Sequence, residues 1–126
     1  MQVLLVEDDD FFAKAVARTL EKAGAGEFGV ARVSRLRDAL SHLESHEVDA
    51  VILDLGLPDS EGADGLHRLL EANPSLPIIV LTGHEDDALG ETLVASGAKA
   101  YLCKGVAYGD ALLRTIRGAL DTSISN

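Results

Sequence analysis

Ala50-Val51-Ile52-Leu53-Asp54 is four apolar residues delivered directly onto a carboxylate. The run is short for a helix, is rich in branched side chains and does not alternate with polar residues. That pattern describes a strand buried on both faces. Working outward, the same sign recurs along the chain. Val3-Leu4-Leu5-Val6 ends at Glu7-Asp8-Asp9, Ile78 to Leu81 ends at Thr82-Gly83, and Ala100 to Cys103 ends at Lys104-Gly105. A fifth, less regular run spans Phe28 to Val33.

Between these runs the apolar residues fall at helical spacing. Phe11, Phe12, Ala15, Val16, Thr19 and Leu20 share one face of a first helix, stopped by Gly24 and Gly26. Ser34 is a suitable N-cap for a second, with Leu36, Ala39, Leu40 and Leu43 as its stripe. Pro58 and Gly62 punctuate a loop before a helix carrying Leu66, Leu69 and Leu70, and Pro74 and Pro77 separate that helix from the next strand. A further helix runs from about Glu85 to Ser96 and stops at Gly97. The last spans Tyr108 to Leu120, with Leu112, Leu113, Ile116 and Leu120 inward. One domain over 1–121 is expected, with 122–126 a frayed polar tail.

The alternation is (βα)5. Buried strands imply a parallel sheet with helices on both sides, and right-handed crossovers wind it into an open, doubly wound α/β sheet. Ligands of such sheets sit beyond the carboxyl ends of the strands.

Composition narrows the function. The 126 residues suit one domain, and 47% are hydrophobic, so a core forms without staples. A net charge of −10 repels a phosphate backbone, which argues against direct nucleic-acid binding. A single cysteine, Cys103, makes no intrachain disulfide and fits a reducing compartment such as the cytoplasm. No signal sequence is apparent, and no stretch nears the roughly 18 apolar residues of a membrane span.

Four strand ends therefore deliver Glu7, Asp8, Asp54, Thr82 and Lys104 to one edge. Crowded carboxylates repel one another and must bind a cation or hold a proton. Mg²⁺ takes hard oxygen ligands, commonly one or two carboxylates with water and phosphate oxygens. Glu7, Asp8 and Asp54 supply such a set, and the Gly56 carbonyl would complete it. Asp54 is then a credible nucleophile towards phosphorus. Lys104 and the Thr82 hydroxyl would neutralise and hydrogen-bond the remaining phosphoryl oxygens.

These residues resemble the response-regulator receiver family. The pieces are Leu4 to Asp9, Val51 to Gly62, Val80 to Gly83, Ala95 to Ala98 and Tyr101 to Lys104, in the family's order and at its spacing. The resemblance implies a flavodoxin-like sheet of order 2-1-3-4-5. It implies Asp54 as phospho-acceptor, with Glu7 and Asp8 the acidic pair, Asp8 the more direct metal ligand and Gly56 giving its carbonyl. It implies Thr82 as switch hydroxyl, Lys104 as phosphate-binding lysine and Tyr101 as the aromatic that follows Thr82. The expected partners are a sensor histidine kinase or phosphotransfer protein, and an output domain or target met through the α4-β5-α5 face, roughly Asp86 to Leu120. The expected assembly is a monomer or a phosphorylation-linked homodimer. Gly56 and His84 stand where the family tunes acyl-phosphate hydrolysis. One departure is Gly105, where the family usually has proline. A non-proline cis bond costs about 3 kcal/mol, so Lys104–Gly105 is expected to be trans.

Plainer readings apply elsewhere. Asp9 and Asp10 suit the amino end of the first helix. Asp59 and Glu61 read as loop surface, and His42, His46, His67 and His84 as surface. Tyr101 reads equally as packing, and Cys103 as a small buried residue. Gly24-Ala25-Gly26-Glu27-Phe28-Gly29 spells a dinucleotide fingerprint, but it follows a helix and opens a strand, so it is a turn. A multiple-turnover aspartyl phosphohydrolase would need a second aspartate where Gly56 stands. A receiver-like docking module independent of phosphate is the alternative to the phospho-accepting reading.

Overall fold

The computed structural model describes residues 1–23, 26–60, 63–83, 87–104 and 108–124, with the backbone alone at 87, 108 and 120–124. The elements follow one another as β1 (Gln2–Val6), α1 (Asp10–Lys22), β2 (Gly29–Val33), α2 (Leu36–Ser45), β3 (Ala50–Leu53), α3 (Asp64–Ala72), β4 (Ile78–Thr82), α4 (Asp87–Ala95), β5 (Ala100–Cys103) and α5 (Tyr108–Ile124). The five strands are all parallel and lie in the order β2-β1-β3-β4-β5. The expected winding and strand order are both present.

Successive residues of a strand face opposite sides of the sheet, and the central strands use both. Val3 and Leu5 of β1, Ile52 of β3, and Ile79 and Leu81 of β4 pack against Ala13, Val16 and Leu20 of α1 and Leu112 and Ile116 of α5. Leu4, Val6, Val51, Leu53, Ile78 and Val80 pack on the other side against α2, α3 and α4, through Leu36, Ala39, Leu66, Leu69 and Leu93. Each fully buried leucine or isoleucine contributes about 1.5–3 kcal/mol by leaving water.

The two edge strands differ from the sequence expectation of burial on both faces. β2 and β5 are only partly covered, each being an edge strand with a single neighbouring strand. Cys103 on β5 is accordingly half-buried. Phe11, placed on the inner face by spacing, is 83% exposed; Ala13, two residues on and about 200° round the helix, is buried instead. The carboxyl-terminal helix continues to Ile124 instead of ending near Leu120. Residues 121–124 contain neither glycine nor proline, so nothing in their backbone chemistry stops the helix where the apolar spacing ends. Gly97 adopts φ +119 after α4, as a helix-stopping glycine should, and a Cβ there would come 2.6 Å from Leu70 Cδ1. Expectations resting on Gly24, Glu61, Gly62, His84, Glu85, Asp86 and the Lys104–Gly105 bond fall outside the described residues.

Candidate functional site

Register brings the polar strand ends together. Val6 pairs with Leu53, and Leu53 with Val80, so Glu7 and Asp54 leave adjacent strands side by side. Neighbouring strands are about 4.8 Å apart. Backbone bonds continue past the strands: Asp54 N–H donates to Val6 O at 3.0 Å, Glu7 N–H to Val33 O at 3.0 Å, and Lys104 N–H to Thr82 O at 2.7 Å. The side chains are thus carried on a hydrogen-bonded frame.

Alternation then sorts them. Glu7, Asp54 and Lys104 each stand two residues past Leu5, Ile52 and Leu102, which all face α1 and α5. Thr82 stands two past Val80, and Tyr101 packs on that same opposite face, towards α4. Glu7 and Asp54 are buried, at 1% and 7% exposure, and Thr82 is buried at 3%, whereas Asp8 is exposed. Glu7, Asp8 and Asp54 each offer an oxygen, and those atoms lie within 4.8 Å of one another. Lys104 reaches into the group: its Nζ is 2.8 Å from Glu7 Oε2 and 3.4 Å from Asp54 Oδ1. A cavity of about 460 Å³ opens beside them, lined by Asp54, Leu55, Gly56, Thr82, Gly83 and Lys104 among others. A methyl group on Gly56 would come 3.5 Å from Asp54 Oδ2, so the loop passes close over that carboxylate.

Electrostatics follow from crowding. Burial pushes the Glu7 carboxyl above its ordinary 4.5, and the charge of Asp54 adds to this against the bonds from Lys104 and the Asp9 amide. Burial works against the Lys104 ammonium, yet the bond to Glu7 and the charges of Asp54 and Glu7 hold it above its ordinary 10.5. Two carboxylates therefore share one cation, and a third sits at the solvent edge. Oxygen ligands at 2.0–2.1 Å from Mg²⁺ stand about 3 Å apart at neighbouring octahedral positions and about 4.2 Å across. Three hard oxygen donors within 4.8 Å fit that ion after a small contraction.

Two supports were not anticipated. Asp9 is the N-cap of α1 as expected, its Oδ1 accepting from Phe12 N–H at 3.1 Å. That places the Phe12 ring beneath Lys104, with Nζ 4.4 Å from the ring centre. The alternation of β1 and β5 was the signal that would have predicted a partner from α1. Arg32 donates to Glu7 O at 2.9 Å and pairs with Asp10 at 2.8 Å, tying β2 to the β1–α1 turn. Ser34 does not cap α2. The Asp59 carboxylate does so from the loop after β3, accepting from Leu36 N–H at 2.9 Å and Arg37 N–H at 3.1 Å. Among the other histidines, His46 and His67 are exposed, while His42 is half-buried with its ring stacked 4.2 Å from that of His46.

Comparison with known proteins agrees with this geometry. The response regulator receiver domain model matches residues 3–117. The swarming motility regulation protein RssB of Serratia marcescens is 37% identical over 114 residues, which are 90% of this chain and 51% of that protein. The C4-dicarboxylate transport transcriptional regulatory protein DctD of Pseudomonas aeruginosa is 34% identical over 95% of this chain and 25% of its own length. This chain thus spans about half or less of these curated relatives. A response regulator receiver domain protein from Clostridium thermocellum superposes with a TM-score of 0.85 at 27% identity, covering 97% of this chain and 95% of that one. The beryllofluoride-activated NtrC4 receiver domain, a dimer, gives 0.85 at 25% identity over 96% and 97%. No helix among the described residues is long and apolar enough to cross a membrane.

Proposed function

Since this chain belongs to the response regulator receiver family of two-component signalling, we propose that it accepts a phosphoryl group on Asp54 from the phosphohistidine of a sensor kinase or phosphotransfer protein, in a Mg²⁺-dependent reaction. The observation that carries this reading is the cluster itself. Three carboxylate oxygens lie within 4.8 Å, and a lysine ammonium bridges two of the groups beside an open cavity.

Glu7, Asp8 and Asp54 would hold the metal, with the Gly56 carbonyl. When bound, Mg²⁺ supplies positive charge for a phosphoryl oxygen and relieves the repulsion among the carboxylates. The chain does the rest. An Asp54 oxygen attacks phosphorus as the P–N bond of the donor breaks. The imidazole nitrogen leaves with the electron pair and takes up a proton. Lys104, already charged, pairs with a phosphoryl oxygen, and the buried Thr82 hydroxyl donates to another. Drawing Thr82 inward biases the face where Tyr101 packs against α4, shifting an existing equilibrium. That α4-β5-α5 face would meet an output domain or a target protein, as a monomer or as a phosphorylation-linked homodimer. Gly56 offers no carboxylate to act as general acid or base towards external esters, so the chemistry is limited to phosphorylation of the chain and hydrolysis of its own acyl phosphate.

The test is mass spectrometry after incubation with Mg²⁺ and a small acyl phosphate or phosphoramidate. One added phosphate is expected in the wild type, and none in Asp54→Asn or with a chelator. Absence of the adduct, or its survival in Asp54→Asn, would leave phosphate-independent docking as the better reading.

A further inference from the structure

Lys104 has a third neighbour besides its two carboxylates, the ring of Phe12. The ammonium carries three protons. Glu7 Oε2 and Asp54 Oδ1 account for two directions, at 2.8 and 3.4 Å. The ring of Phe12 also lies beside the ammonium, its centre 4.4 Å from Nζ, well inside the range in which an aromatic face attracts a cation. The ring is itself anchored. Its backbone amide is bonded to the N-cap Asp9, and the side chain packs on the core shared by β1, β3, β4, α1 and α5.

We propose that Phe12 is a positioning residue for Lys104, its ring face holding the ammonium within reach of both Glu7 and Asp54. A lysine side chain is a flexible four-carbon stem with a mobile head. Two carboxylates alone do not fix that head, because phosphorylation converts one of them into an acyl phosphate and a metal ion would engage both. The ring is the one of the three neighbours whose charge distribution none of these events changes. An aliphatic side chain of similar size would fill the same volume and present no negative face. Phe11, its neighbour in sequence, is 83% exposed and is the internal control.

The inference rests on the reading that Lys104 serves the phosphoryl group, and the experiment separates the two. Phe12→Leu, Phe12→Met, Phe12→Tyr and Phe11→Leu are made in the full chain, with either Lys104 or Lys104→Ala. The mobility of the Lys104 head is followed by NMR relaxation of carbon-13 at its ε position, without metal or phosphodonor. Phosphorylation rate is followed with Mg²⁺ and a small acyl phosphate. Phe12→Leu and Phe12→Met should raise the mobility of the Lys104 ε carbon and slow phosphorylation about three- to tenfold. Phe12→Tyr should restore both, and Phe11→Leu should change neither. In the Lys104→Ala background Phe12→Leu should have no further effect on rate. The methionine variant serves if the leucine variant does not fold. Unchanged Lys104 mobility in both aliphatic variants would overturn the proposal, as would equal rate losses with and without Lys104. If the wild type takes no phosphate while the mobility still rises, the ring–ammonium pairing stands and the phosphoryl reading falls.

Discussion

Glu7 is the residue where folding works against chemistry. It is buried, it shares a lysine with Asp54, and its carboxyl binds a proton more readily in the folded chain than in the unfolded one. Its contribution to stability is therefore fully present below the ordinary 4.5 and is lost as pH rises through the higher folded value. Lys104, also raised, gives a contribution present below 10.5 and lost only above that. Glu7→Gln keeps the shape and an oxygen for the Asp9 amide, and removes the charge. Metal-free urea unfolding from pH 5 to pH 8 should show the wild type losing stability relative to Glu7→Gln as pH rises. Mg²⁺ at a hundred times its dissociation constant should then stabilise the wild type by about 2.7 kcal/mol, and Glu7→Gln by less. A wild-type-minus-variant difference that is flat across that window would contradict the assignment. Glu7, Asp54, Thr82 and Lys104 were legible in the sequence because each directly follows an apolar run, which fixes its position at a strand end. Phe12 was not, since its contact depends on how the turn after β1 aims α1 across the sheet edge.

Helix α2 shows the same limit one level up. Its stripe of Leu36, Ala39, Leu40 and Leu43 was legible from spacing, but its cap was not, because the cap comes from Asp59, 23 residues away. Local capping rules search the residues just before the helix and find Ser34, whereas the helix begins one residue later, with Arg35 before it, and its first amides are met by Asp59 from the loop after β3. Although burial opposes it, the amides of Leu36 and Arg37 hold the Asp59 carboxyl below its ordinary 3.8. The stabilisation is thus present above 3.8 and is lost as pH falls through the lower folded value. Asp59→Ala should cost about 1 kcal/mol, within the usual 0.5–2 for a lost cap. Ser34→Ala should stay within about 0.5 kcal/mol. Urea midpoints at neutral pH decide between them, and equal effects from the two variants would return the cap to Ser34. The link also ties the loop that follows Asp54 to a helix on the α2–α3 side, so weakening it should loosen the approach to Asp54.

At the scale of the whole molecule, one sheet serves two cores. The (βα)5 order could be read from the runs and stripes, and the 2-1-3-4-5 strand order followed from the family resemblance. The division of labour between faces needed the register, since period-two alternation says only that neighbours part. β1, β3 and β4 send consecutive residues to opposite sides, so neither helical layer has a sheet of its own. Ile116 of α5 and Leu69 of α3 are both 0% exposed and lie on opposite sides. Truncating either to alanine should cost about 2–5 kcal/mol through lost burial and a residual cavity. Because the strands between them are common, each variant should still melt in a single transition, with calorimetric and van't Hoff enthalpies equal. With the sheet separating the two sites, the double variant should lose the sum within about 0.5 kcal/mol. Scanning calorimetry with amide hydrogen exchange tests this. A second resolved transition, or exchange that accelerates on the α5 side alone in Ile116→Ala, would mean that the layers open independently and that the strand ends bearing Glu7, Asp54 and Lys104 are held together by one layer only.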